Sequence, residues 1–378
     1  MRARLASAAI LPAFVLGCDI EGTQHDQPTG GPVISVLGTS IEANDGVIAA
    51  DGVIQVAFDR YVLPATVARQ SFAIVDSTNT LIPAAALRSV YDPVARTVTI
   101  TGPDGPGEPW LIPEQSYKLV LLIPDDPASD IGGFRAIDRA PLAPQEKRQF
   151  VFRTGAPQSQ KEYEPSATFC SDVMPIFHAK CASCHSSSHA AAALVLDSSE
   201  GVRATAIRRL AQGSNTGGRP DSILPSPSKF GLNMPVIMPG DPGSSWLIYK
   251  TELAPPPPAG AGPVPNIVCE ERASSLSTAK PRFFTLAPAR PIATEAERQI
   301  LGEYVLGREM PYPYAPEMYV PPAPTDADPH PTAYFYTSLD FEERERLRIW
   351  ITRGAKVDDC APCRVLPRPD GDSADAGR

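Results

Sequence analysis

Val173-Met174-Pro175-Ile176-Phe177-His178-Ala179-Lys180-Cys181-Ala182-Ser183-Cys184-His185 runs an apolar segment of helical spacing straight into a C-x-x-C-H pattern. The helical spacing begins at Thr168, and the pattern that follows has a chemical logic. Two residues between the cysteines let one helical turn present both sulfurs to a single ligand, and the histidine then lies beneath it. Thiols and imidazole in this order read as the covalent attachment site of a c-type haem, with Cys181 and Cys184 bonded to the vinyl groups and His185 as proximal iron ligand.

Haem of this kind is attached outside the cytoplasm, and the amino terminus supplies a route there. Arg2 and Arg4 precede an apolar run from Leu5 to Leu16, too short to span a bilayer and typical of a secretory signal. The run ends at Val15-Leu16-Gly17-Cys18, which resembles the bacterial lipoprotein cleavage box. That resemblance implies that residues 1–17 are removed and that Cys18 becomes the lipidated first residue. Several acyl chains on one residue make a durable membrane anchor. Residues 18–32 then read as a flexible tether.

The chain has 378 residues, enough for two domains, and a formal net charge of -9. Loss of Arg2 and Arg4 with the leader makes the mature protein two charges more acidic. An acidic exported chain without a basic cluster is a poor nucleic-acid binder, so no nucleic-acid partner is expected. Its 43 prolines are about twice the usual share and argue for a loop-rich chain held by covalent staples.

From 33 to 155 the apolar pattern has period two. Ile54, Val56 and Phe58 fall on one face of Val53 to Phe58. Further strands are expected at Phe72 to Val75, Leu87 to Tyr91, Thr97 to Ile100, Tyr117 to Ile123 and Gln149 to Arg153. Turn signals such as Asn44-Asp45-Gly46, Asp92-Pro93 and Pro103-Asp104-Gly105 separate them. Short strands at such intervals predict an antiparallel β-sandwich. The landmarks Ile54 to Phe58, Ser71-Phe72, the strand at Tyr117, Asp130-Ile131-Gly132 and Phe150 to Thr154 resemble the Ig-like domains of bacterial surface-layer proteins. Nothing in this half invites catalysis, and a spacer or docking module is the expected role.

Residues 156–166 read as a polar linker, after which the period becomes helical. Thr294-Glu295-Ala296-Glu297 is a capping box opening a helix with Ile300, Leu301, Tyr304 and Val305 on one face. A second helix starts around Asp340 to Glu343 and carries Leu347, Trp350 and Ile351 before Gly354. Together with the C-x-x-C-H segment these elements resemble the exported, multidomain type of bacterial cytochrome c. The shared landmarks are Val173 to His185, Pro239-Gly240-Asp241-Pro242-Gly243-Ser244-Ser245-Trp246-Leu247, and Trp350-Ile351-Thr352-Arg353-Gly354-Ala355. The resemblance implies a mainly-α haem domain over 167–364, with 365–378 as a disordered tail. The expected fold class is thus multidomain: an N-terminal all-β Ig-like sandwich plus a C-terminal mainly-α cytochrome c-like haem domain.

A second axial ligand must reach the iron from the opposite face, which disfavours His178 and His189. A thioether there favours Fe(II). The candidates are Met234, Met238, Met310 and Met318, and Met310-Pro311 matches the M-P pair of the resembled family, just past the helix stop at Gly307. Proline at 311 also biases Met310 toward an extended backbone. Leu347, Trp350 and Ile351 would then pack against the macrocycle. Cys170, Cys269, Cys360 and Cys363 remain, and four cysteines in an exported chain predict two disulfides in one of three connectivities. Arg364 after Cys360-Ala-Pro-Cys363 excludes a second haem site of the same kind.

These features predict a lipid-anchored carrier of one covalent haem c that passes single electrons to a redox partner protein, with membrane contact through the lipid. Catalytic residues are not required, and no enzyme is expected. The expected location is the cell envelope, facing periplasm or cell surface. Two alternatives differ in class: a haem sensor or enzyme with an open sixth position, and a non-haem surface adhesion or scaffold lipoprotein.

Overall fold

The computed structural model describes residues 32–68, 70–105, 108–123, 132–144, 147–157, 167–211, 234–255, 267–269, 293–305, 309–311 and 338–365. The leader and Cys18, nearly all of the tether, most of the linker, Gly307, Met318 and the segment 366–378 lie outside these residues.

The first half holds strands β1 (Val36–Thr39), β2 (Val47–Ala49), β3 (Ile54–Phe58), β4 (Phe72–Asp76), β5 (Arg88–Asp92), β6 (Thr97–Thr101), β7 (Ser116–Leu121) and β8 (Gln149–Gly155), with helix α1 (Ser40–Ala43) between the first two. They form two four-stranded sheets, ordered β1-β3-β6-β5 and β2-β8-β7-β4. Pairing is antiparallel except between β2 and β8, where Val47 faces Arg153 and Ala49 faces Gly155 in parallel.

Alternation drives this assembly. In β7 the buried positions are Tyr117, Leu119 and Leu121, and in β8 they are Phe150, Phe152 and Thr154. Together with Ile54, Val56, Phe58, Ile74, Val98 and Ile100 they build one apolar core fed by both sheets. Phe134 enters from a loop, with its ring centroid 5.1 Å from Phe58. Each large apolar side chain buried in this way contributes about 1.5–3 kcal/mol.

The second half corrects the expected fold class. It contains α2 (Met174–Lys180), α3 (Ser199–Thr205), α4 (Trp246–Glu252), α5 (Glu295–Gly302) and α6 (Phe341–Thr352). Two-stranded ribbons accompany them: β9 (His185–Ser186) with β10 (His189–Ala190), and β11 (Ile267–Val268) with β12 (Arg364–Val365). Over all the described residues of the chain, both halves together, 27% are helical, and no clearly helical haem domain emerges among them. The physical reason lies in segment length. Among the described residues only α6 reaches 12 residues, while α2, α3 and α4 have seven each, too short to be stable without tertiary packing.

What holds this half is an aromatic core and two cross-links. Phe169, Phe177 and Trp350 form a three-ring cluster with centroid separations of 5.5–6.4 Å. The Trp350 indole donates to the Lys356 carbonyl at 2.8 Å. Disulfides join Cys170 to Cys360 and Cys269 to Cys363, closing separations of 190 and 94 residues. Among the described residues no helix is long and apolar enough to cross a membrane.

Candidate functional site

Helix α2 delivers the first thiol. Pro175 sits in its first turn, where a missing N–H costs nothing, and Ile176 and Phe177 are buried. A cap closes the other end: the Cys181 amide donates to the Phe177 carbonyl at 2.9 Å. The chain then folds back on itself, with the Cys184 and His185 amides both donating to the Cys181 carbonyl, at 3.2 and 3.0 Å. This turn fixes the thiols and the imidazole relative to one another.

Cys181 and Cys184 are unbridged thiols, both half-buried. Burial, aided by the neighbouring Glu343 carboxylate, pushes the Cys181 thiol up to about 12, so it is protonated at neutral pH. A protonated thiol is a poor nucleophile toward disulfides, which helps two cysteines three residues apart remain unlinked. The Ser183 hydroxyl donates to Cys184 Sγ at 3.7 Å.

His185 is buried, with 8% exposure. Its Nδ1 lies 3.0 Å from the Ala191 carbonyl oxygen. A carbonyl can only accept, so Nδ1 carries the proton and the lone pair belongs to Nε2. That tautomer suits an iron-binding imidazole, whose other nitrogen is ordinarily held by a carbonyl or carboxylate. Desolvation lowers the pKa of the ring, opposed by the Ala191 and Leu194 carbonyls, and Lys250 adds a further push downward. Neutral imidazole is the form a metal needs. Two unlinked thiols and a neutral, oriented imidazole within five residues therefore fit the donor set of a covalent haem.

The candidate methionines separate by environment. Met234 is fully buried in a core with Tyr61, Trp246 and Tyr249. Met238 is 37% exposed, and its amide donates to Ser245 Oγ at 2.9 Å. Met310 is half-buried, and its amide donates to the Lys250 carbonyl at 2.9 Å. The Lys250 charge is one of the lesser influences on the His185 ring, after burial, two carbonyls and His189. His178 Nε2 is engaged with the Asp197 carbonyl at 3.1 Å, and His189 is exposed. Leu347, Trp350 and Ile351, the expected macrocycle cover, are at most 2% exposed and belong to the apolar cluster against which Cys181 packs.

No family model matches this chain. No curated protein matches it either. Among solved structures it is similar to the surface-layer protein rSbsC(31-844), at 18% identity and a TM-score of 0.22, over 36% of this chain and 15% of that one. A second is the N-terminal part of the bacterial surface-layer protein SbsC, at 17% identity and a TM-score of 0.23, over 37% and 27% of the two chains. The chain thus spans about a quarter or less of those proteins, and at such scores the likeness carries no argument. The expected description as a metal-binding protein is corrected on one finding. Among the described residues no group of three or more His, Cys, Asp or Glu side chains could hold a metal ion.

Proposed function

We propose that this chain is an exported, lipid-anchored protein that carries one covalent haem c on Cys181 and Cys184 and passes single electrons. One observation carries the reading: among the described cysteines four are cross-linked in pairs, while the two of the C-x-x-C-H run are left as thiols. In an oxidising compartment spare thiols are normally consumed. A pair kept as thiols next to a buried histidine is what thioether attachment of a haem would require. When bound, the haem supplies a one-electron iron couple.

The chain's own residues do the rest. His185 would hold the iron through Nε2, its ring orientation set by the Ala191 carbonyl. Met310 would supply the second protein ligand; its amide donates to the Lys250 carbonyl, and a thioether there would favour Fe(II) and raise the potential. Export is supported by the two disulfides and by the leader at Arg2 to Cys18.

The test is expression of the mature chain with haem-maturation machinery, followed by denaturation. Colour that stays with the polypeptide is the expected result, and Cys181→Ala with Cys184→Ala removes it. Colourless wild-type polypeptide ends the reading. In the coloured protein, Met310→Ala abolishes the weak charge-transfer band at the red end of the spectrum; its survival assigns the sixth position elsewhere.

A further inference from the structure

Helix α4 is too short to hold its own place, so its position is set by what grips it. At its last residue, Glu252 is fully buried yet accepts the Tyr61 hydroxyl at 2.8 Å and Arg344 Nη1 at 3.4 Å. At its approach, Gly243 lies against β5: a Cβ there would sit 2.8 Å from the Tyr91 Cβ and 3.0 Å from the Tyr91 carbonyl oxygen. The Tyr249 hydroxyl, from within α4, donates back to the Gly243 carbonyl at 2.7 Å. Both ends of α4 are thus fastened to the first half of the chain, and between them Lys250 offers the carbonyl that receives the Met310 amide.

We infer that Tyr61 and Tyr91 are positioning residues for Met310, so that the two-sheet half is a structural wall of the candidate haem site and not a spacer. The physical lever is the buried carboxylate. A charge with no solvent exposure is tolerated only where its partners meet it, so Glu252 can occupy one place, and α4 with it. Gly243 adds a steric reference, because no larger residue fits between the loop and Tyr91. The inference rests on the reading of Met310 as axial ligand.

The experiment compares full-length protein, with and without haem, as Tyr61→Phe, Gly243→Ala and the control Phe152→Leu. Phe152 is buried in the two-sheet core and stacks on Tyr117, and that core includes no α4 residue, so its truncation weakens the first half by itself. In haem-free protein, hydrogen exchange at the Met310 amide accelerates about tenfold or more in Tyr61→Phe, as expected for losing a hydrogen bond to a charged group. It accelerates also in Gly243→Ala, where the added Cβ displaces the loop from Tyr91, and stays at the wild-type rate in the control. In haem-loaded protein both variants keep colour after denaturation but lose intensity in the red-end band. Unchanged exchange and band in Tyr61→Phe and Gly243→Ala overturn the inference, as does equal acceleration in the control, which marks a merely global loosening. Wild-type protein without retained colour fails the haem reading instead, and the haem-free exchange still decides whether the first half positions residues 309–311.

Discussion

Lys180 Nζ lies 3.8 Å from Glu343 Oε2, with both side chains largely withdrawn from solvent beside Cys181. The pair ties the end of α2 to the start of α6, where Glu343 also completes a capping box by accepting the Asp340 amide at 2.9 Å. The environment opposes both charges: burial is the largest influence on each, lowering the Lys180 pKa and raising that of Glu343, while each partner pulls the other back.

A pH signature follows for Glu343. Its folded-state pKa is raised above the ordinary 4.5, so its contribution to stability is full below that value and is lost as pH rises through the raised one. Denaturant unfolding of wild type and Glu343→Gln across mildly acidic to neutral pH should show wild type losing stability relative to the variant as pH increases. A difference that is flat or grows with pH overturns the assignment.

The Cys181 thiol is expected to resist alkylation. With its pKa pushed up to about 12, the thiolate fraction at pH 8 is small. Iodoacetamide labelling of haem-free native protein at that pH should be far slower at Cys181 than in urea-unfolded protein. Equal rates would show that the thiol is neither buried nor protonated.

Removing a cross-link should be expensive. Cys170→Ala with Cys360→Ala opens a 190-residue separation, and loss of a native disulfide typically costs about 2–5 kcal/mol. Chemical denaturation gives the value directly. A loss well under 1 kcal/mol would mean that the remaining cross-link, between Cys269 and Cys363, already restrains the unfolded chain.

The aromatic cluster gives a fourth test. Phe177 has no solvent exposure and contacts both Phe169 and Trp350, so Phe177→Ala should cost about 3–5 kcal/mol. The same change should also loosen the cap at Cys181, which is built on the Phe177 carbonyl. A drop below about 1 kcal/mol in thermal or denaturant unfolding contradicts the packing.

Much of the first half was written in period two: Ile54, Val56 and Phe58, expected on one face, are all buried in one core. The strands β1 and β2 escaped because they are four and three residues long and offer no alternation to read. In the second half, α6 was legible as a helix but only one of its faces was. Arg344, Glu345 and Arg348 look like a solvated stripe, yet each is at most 4% exposed. Their partners include Asp92 and Glu252, far away in sequence, and no local pattern announces a buried ion pair between distant residues. The cysteines divide in the same way. Their pairing was open among three arrangements until tertiary structure brought Cys360 to Cys170 and Cys363 to Cys269. Trp350 packs on Phe169 and Phe177, an arrangement that helical spacing alone does not announce.

The parallel pairing of β2 with β8 has a mechanical meaning. A pull applied to the start of the chain and to the second half reaches the two strands at opposite ends, so it slides one along the other. Hydrogen bonds loaded by sliding must break together, whereas those peeled from one end break in turn. A protein tethered at its amino terminus would thus bear tension across the seam from Val47 to Gly155 without unzipping strand by strand.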